Sequence, residues 1–169
     1  TLPALIAITP DGTKAYVTNS VTAGTVSVVD LTSPTFPIIA TIPVGDTPFG
    51  IAVTPDGTRT YVANTGSGTV SVIDTASNTV IATIPGITNA NIITITPDGS
   101  KAYVSDGISA VYVLNLSNNS LIGSIPVGAG PEGIAINPSG TIALVANQGS
   151  TTVSVIDIAT DTVIDTINV

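Results

Sequence analysis

"TPDGTKAYVTN" occupies residues 9–19 and returns as "TPDGTRTYVAN" at 54–64 and "TPDGSKAYVSD" at 96–106. A worn copy, "NPSGTIALVAN", occupies 137–147. Each copy reads as a hairpin specification. Pro10, Pro55, Pro97 and Pro138 preset φ for the first turn position. Asp11, Asp56 and Asp98 suit the second, and Gly12, Gly57, Gly99 and Gly140 take the left-handed conformation that closes the turn. The turn prolines stand 45, 42 and 41 residues apart. That period, with four short strands per unit, is the signature of propeller blades.

The rest of each unit follows from the turn. Strand A precedes it: "LIAIT" at 5–9, "GIAVT" at 50–54, "IITIT" at 92–96 and "GIAIN" at 133–137. Its near-continuous aliphatics predict an innermost strand buried on both faces. Strand B follows the turn. Strand C ("TVSVVD", "TVSVID", "AVYVLN", "TVSVID") alternates with a period of two. Strand D reads "IIATIPV", "VIATIPG", "LIGSIPV" and "VIDTINV". No segment carries a helical period. The expected fold is all-β: one repeat array over 1–169, built of four four-stranded antiparallel blades near 4–45, 49–86, 91–128 and 133–169.

These residues resemble the YVTN β-propeller repeat family, through "PDGTKAYVTN", "GTVSVID" and the connecting "IPVGDTPFGIAVTPDG". The resemblance covers essentially the whole chain. It implies a ring of four-stranded blades and a place at the cell surface or in a surface layer, and it implies no activity. Members usually carry seven blades, whereas four units are present here. An uncapped array exposes an apolar blade face at each end. Three arrangements would cover those faces: a closed four-bladed ring, half of a larger ring completed by a second copy, or a piece of a longer propeller.

Composition narrows the function classes. Charged residues make up 8% of the 169, against about 25% in soluble domains generally. The 27 threonines supply a polar, uncharged surface that still suits pleated strands. Net charge is −8 with three basic residues, which opposes phosphate neutralisation and so nucleic-acid binding. No apolar run reaches the roughly 18 residues of a spanning helix. Cys, His, Met and Trp are absent, which removes thiol nucleophiles, imidazole bases and the commonest transition-metal ligand. No catalytic residue, cofactor or metal is expected.

Several residues invite a site reading. Lys14, Arg59 and Lys101 recur two places after the turn glycine, with Ile142 in the fourth unit. They form either a cation ring for an acidic ligand or a repeated pair with a nearby carboxylate, such as Asp30, Asp74 or Asp157 at the ends of C strands. Recurrence favours the structural pair. Tyr16, Tyr61 and Tyr103 share one position, with Leu144 in the fourth unit; packing between blades is favoured over ligand stacking. Asp157, Asp161 and Asp165 stand four apart but need not converge.

The informative positions differ while the frame stays constant. At the crossing from strand D into the next strand A stand Ala4, Phe49, Asn91 and Glu132, the chain's one glutamate. They are the candidate face for a glycan, a small ligand or a partner loop. The sequons at Asn115 ("NLS") and Asn118 ("NNS") are candidate glycosylation sites. The leading expectation is a non-enzymatic extracellular structural or adhesive module that forms homo-oligomers or a surface assembly. The alternatives are a ligand-binding propeller, and the non-catalytic propeller part of a larger exported enzyme.

Overall fold

A computed structural model describes residues 2–169; Thr1 lies outside the described residues. Sixteen strands follow one another. Blade 1 contains β1 (Pro3–Ile8), β2 (Lys14–Asn19), β3 (Thr25–Asp30) and β4 (Ile38–Pro43). Blade 2 contains β5 (Pro48–Val53), β6 (Arg59–Asn64), β7 (Thr69–Asp74) and β8 (Thr79–Pro85). Blade 3 contains β9 (Ile93–Ile95), β10 (Lys101–Ser105), β11 (Ala110–Asn115) and β12 (Ser120–Pro126). Blade 4 contains β13 (Pro131–Ile136), β14 (Ile142–Asn147), β15 (Thr152–Asp157) and β16 (Thr162–Asn168). Each blade is an antiparallel meander in chain order, and no helix occurs among the described residues.

Local chemistry explains the hairpins. Gly12, Gly57, Gly99 and Gly140 hold φ near +70° and donate their N–H to the carbonyl three residues back. Asp11 Oδ1 accepts from Thr9 Oγ1 at 2.6 Å and from the Thr13 N–H at 3.0 Å; Asp56 and Asp98 repeat this. These bonds hold all three carboxyls below the usual carboxylate range, the threonine hydroxyl being the largest cause. In blade 4, where Ser139 replaces the aspartate, Asn137 Oδ1 takes the Thr141 and Ile142 N–H groups instead. At the other end of the motif, the Asn19, Asn64 and Asn147 amides donate to a Thr and a Ser hydroxyl of the facing C strand.

Three hydrophobic clusters lie between blades. Tyr16, Val26, Val28 and Ile42 of blade 1 meet Ile51, Val62 and Ile73 of blade 2. Tyr61, Val70, Val72 and Ile84 meet Ile93, Val104 and Leu114 of blade 3. Tyr103, Val111, Val113 and Ile125 meet Val145 and Ile156 of blade 4. The three tyrosines have no exposed surface. Each hydroxyl crosses to the next blade's C-to-D turn, at Asn78 (2.8 Å), Asn119 (2.7 Å) and Asp161.

Three expectations need correction. The sheets do not close, so the four-bladed ring is not formed: β1 meets β5, β5 meets β9 and β9 meets β13, and there the series stops. Strand A is not buried on both faces: β1 and β13 are mostly half-buried or exposed, because an open arc leaves its inner side in solvent. The cations do not pair with their own blade's carboxylates. Lys14 Nζ donates to the Thr75 carbonyl at 2.6 Å, Arg59 to the Leu116 carbonyl at 2.9 Å and Lys101 to the Ile158 carbonyl at 2.8 Å, each in the following blade. Among the described residues, only Lys101 also finds a carboxylate, Asp161 at 2.7 Å. Asp30, Asp74 and Asp157 accept from Thr32, Ser77 and Thr160 of their own turns, which leaves the cations to span the gap between blades.

Candidate functional site

The crossing positions lie where each inner strand begins. At Phe49, Asn91 and Glu132 the backbone is hydrogen-bonded within or between blades. The Thr18 hydroxyl donates to the Phe49 carbonyl at 3.0 Å, and the Ser105 hydroxyl donates to the Glu132 carbonyl at 3.1 Å. The Asn91 N–H donates to the Ser105 carbonyl, and the Gly50 N–H donates to the Asn91 carbonyl at 2.9 Å. With the main chain held this way, side-chain identity is free to vary at each crossing. Gly50 is required by contact: a Cβ there would lie 2.2 Å from the Asn91 oxygen.

The structure brings Asn91 and Glu132 together. Asn91 Nδ2 donates to Glu132 Oε2 at 3.0 Å across the blade 3–4 step, with Glu132 exposed. Phe49 is half-buried at the preceding crossing, and the Gly50 N–H after it donates to the Asn91 carbonyl; Ala4 sits one step further back, beside Leu5, whose N–H donates to the Thr18 hydroxyl. Residues that sequence reading missed complete the patch. Gly107 (φ +66°) lies alongside, where a Cβ would stand in ordinary contact 3.6 Å from Asn91 Nδ2, and Ile108 beside it is exposed. The signal for this loop was Asp106 in place of the motif asparagine. Its buried carboxylate accepts from the N–H groups of Ile108, Ser109 and Ala110 and sets the loop's shape. Asn89, at φ +51°, donates to the Asp106 carbonyl and joins the crossing to the loop.

Other candidates are taken up by structure. Asn115 Oδ1 accepts from the Ser117 N–H and hydroxyl, the same turn that aspartates make in the other blades. Asn118 is exposed and accepts from Ser120. Asp157, Asp161 and Asp165 do not converge: Asp161 belongs to Lys101 and Tyr103, and Asp165 accepts from the Thr166 N–H. Among the described residues, no three carboxylates stand together as metal ligands would. On the opposite face, a cleft of about 530 Å³ opens between the turns of blades 2 and 3. Its charged groups, Asp56, Arg59 and Asp98, are all engaged in turns or in the blade step.

Among the described residues, two surfaces expose large apolar side chains. In every D strand a β-bulge places an extra isoleucine, Ile39, Ile81, Ile122 or Ile164, about half exposed on the outer rim. Bulges blunt edge strands against pairing, yet these leave a periodic apolar belt. The end faces are barer. Ile6 is 61% exposed, whereas the equivalent Ile51 and Ile93 are 9% and 5% exposed under the preceding blade.

Comparison with known proteins places this geometry. Residues 16–169 match the family model described as the choice-of-anchor I domain. No curated protein matches the chain. A solved chain of Kuenenia stuttgartiensis hydrazine synthase superposes with a TM-score of 0.90 at 30% identity, over 99% of this chain and 49% of that one. The chain thus spans about half the length of that structure. Matches extend to 1310 solved chains, so the scaffold is widely used and the fold by itself assigns no activity. Among the described residues, no helix is long and apolar enough to cross a membrane.

Proposed function

The chain belongs to the choice-of-anchor I domain family, and from that premise we propose that it is a non-enzymatic, surface-associated propeller module that self-associates outside the cell. The observation that carries this reading is the periodic apolar belt of Ile39, Ile81, Ile122 and Ile164, each about half exposed on the outer rim. Burial of apolar area contributes about 25 cal/mol per Å², so a belt of this kind favours a partner. The low share of charged residues, 8%, supports the same reading. The motifs shared with the YVTN-type repeat support a place in a surface layer. Sedimentation velocity over a wide concentration range tests the proposal; a single monomeric species at every concentration counts against it.

A second reading is a binding module. The Asn91–Glu132 pair, with Glu132 exposed and the exposed Ile108 nearby, offers a polar centre with an apolar edge suited to a glycan or a partner loop. On this reading Glu132→Ala and Phe49→Ala abolish binding on a glycan array while unfolding midpoints stay unchanged. Half-coverage of a hydrazine synthase chain supports a third role, as the non-catalytic propeller part of a larger exported enzyme.

A further inference from the structure

Where blade 3 meets blade 4, the crossing end departs from the repeat, and the departures gather around one residue. A Cβ on Gly107 would stand 3.4 Å from Asn89 Nδ2, 3.6 Å from Asn91 Nδ2 and 4.0 Å from Glu132 Oε1. Three polar side chains, from the crossing into blade 3 and from the start of blade 4, therefore converge beside a residue that has no side chain. Gly107 holds φ at +66°, in the left-handed region that disfavours larger residues. Blades 2 and 4 are built differently here. Their loops after strand B bond to the preceding crossing through main chain: Thr65 and Gly66 N–H donate to the Thr47 and Asp46 carbonyls, and Gln148 and Gly149 N–H to those of Gly130 and Ala129. In blade 3 the link is a side chain, Asn89 to the Asp106 carbonyl. The inner strand β9 is also three residues long, against six in β1, β5 and β13.

Charge decides what this locus can take. Asn91 Nδ2 fills Glu132 Oε2, and the other carboxylate oxygen, Oε1, is the one nearest Gly107. The charge of the whole end has the same sign. Lys14, Arg59 and Lys101 open β2, β6 and β10, beside the Pro-Asp-Gly turns. Asp46, Asp106 and Glu132 lie at the opposite end of the strands, and no lysine or arginine accompanies them. Strand β10, five residues long, holds Lys101 about 17 Å from Asp106 at roughly 3.4 Å per residue. That is about twice the Debye length of about 8 Å at physiological salt, so the cations do not compensate the crossing end. Ile108, 55% exposed beside Gly107, supplies an apolar edge. A carboxylate next to an apolar side chain suits a long basic side chain, whose methylene stem covers the apolar group while its head meets the charge.

Resting on the binding-module reading above, we propose that the crossing end docks a basic segment of a partner protein, with one arginine or lysine seated at Gly107 among Asn89, Asn91 and Glu132 and its stem over Ile108. The uncompensated charge of this end also steers the approach of such a partner, an effect that salt weakens.

Fluorescence anisotropy of a labelled tetra-arginine peptide against the 169-residue chain, at low and at physiological salt, tests this. The expected result is saturable binding that weakens as salt rises. Glu132→Gln lowers the affinity about fivefold, the upper range for an exposed ion pair. Ile108→Ser lowers it about threefold through the lost apolar contact. Both side chains are exposed, so unfolding midpoints stay unchanged. Asp74→Asn removes the same charge at the opposite end and leaves the affinity as it was. An equal loss in Asp74→Asn would show attraction to the net charge of −8 alone and overturn the site. Equal binding of a tetra-glutamate peptide would overturn it as well. Glycan-array binding that Glu132→Gln abolishes, with no peptide binding, would overturn the basic partner and leave the binding-module reading standing. Silence in both assays would overturn the two together.

Discussion

Tyr61 offers the sharpest test of how the blades hold together. Its ring is fully buried between blades 2 and 3, and its hydroxyl donates to Asn119 Oδ1 at 2.7 Å. Tyr61→Phe removes only the hydroxyl. It leaves one acceptor unfilled, because the nearby Leu116 carbonyl keeps the Arg59 guanidinium; the expected cost is about 0.5–1.5 kcal/mol. Tyr61→Ala also empties the space between the sheets, and large aromatic-to-alanine changes in cores cost about 3–5 kcal/mol. That is a large share of the roughly 5–15 kcal/mol that stabilises a typical domain. The internal control is Leu144→Ala at the same blade position. Leu144 is 42% exposed, so in these 169 residues at dilute protein its loss should cost within about 0.5 kcal/mol. Urea unfolding followed by far-ultraviolet circular dichroism gives the three values. A Tyr61→Ala cost below about 1 kcal/mol, or one equal to that of Leu144→Ala, would refute the claim that stability resides between blades.

Two further predictions follow from the same geometry. Asp161 accepts from both Lys101 and Tyr103, so Asp161→Ala should cost about 1.5–3 kcal/mol in urea unfolding, and Asp161→Asn, which keeps an acceptor for Tyr103, distinctly less. Stability should also fall at both ends of the pH scale. Turn hydrogen bonds lower the carboxyls of Asp11, Asp30, Asp56, Asp74, Asp98 and Asp157 below 3.8. The stability they contribute is complete above that value and is lost as pH falls through their folded values. Burial, with Asp74 and Asp11 nearby, pushes the Tyr16 hydroxyl up to about 12, and burial raises Tyr61 and Tyr103 as well. The folded chain holds those protons more tightly, so stability falls as pH rises from about 10 toward 12. Thermal midpoints across pH, with phenolate absorbance as the titration signal, check both limbs; a flat alkaline limb would contradict the burial of the rings.

Local features were legible in the chain because they depend on neighbours a few residues away. A Pro-Asp-Gly turn needs φ near −65°, a short acceptor and a left-handed closer, and the residues at 10–12, 55–57 and 97–99 meet those needs unaided. Alternation in the C strands and the recurring period carried the four-blade count. The equivalence of Tyr16, Tyr61 and Tyr103 pointed to packing between blades, where the rings are found. The cations were harder to read. Sequence spacing brings Lys14 close to Asp30, and indeed the two are register partners on β2 and β3. The side chain nevertheless crosses to a carbonyl 61 residues away, since Asp30 is already occupied by its own turn. The loop at Asp106–Ser109, which borders the candidate patch, carried only one substitution as a sign of its shape.

The sequence by itself therefore determined the hairpins, the strand order within each blade and the number of blades, because turn dihedrals and side-chain alternation are short-range properties. Tertiary structure alone decided which blade each cation and hydroxyl reaches, that Asn91 meets Glu132, and that the four sheets lie in an open arc and do not close on one another. Those outcomes depend on the angle between successive sheets. That angle is set by side chains packed from two blades at once, and no stretch of one blade's sequence contains it.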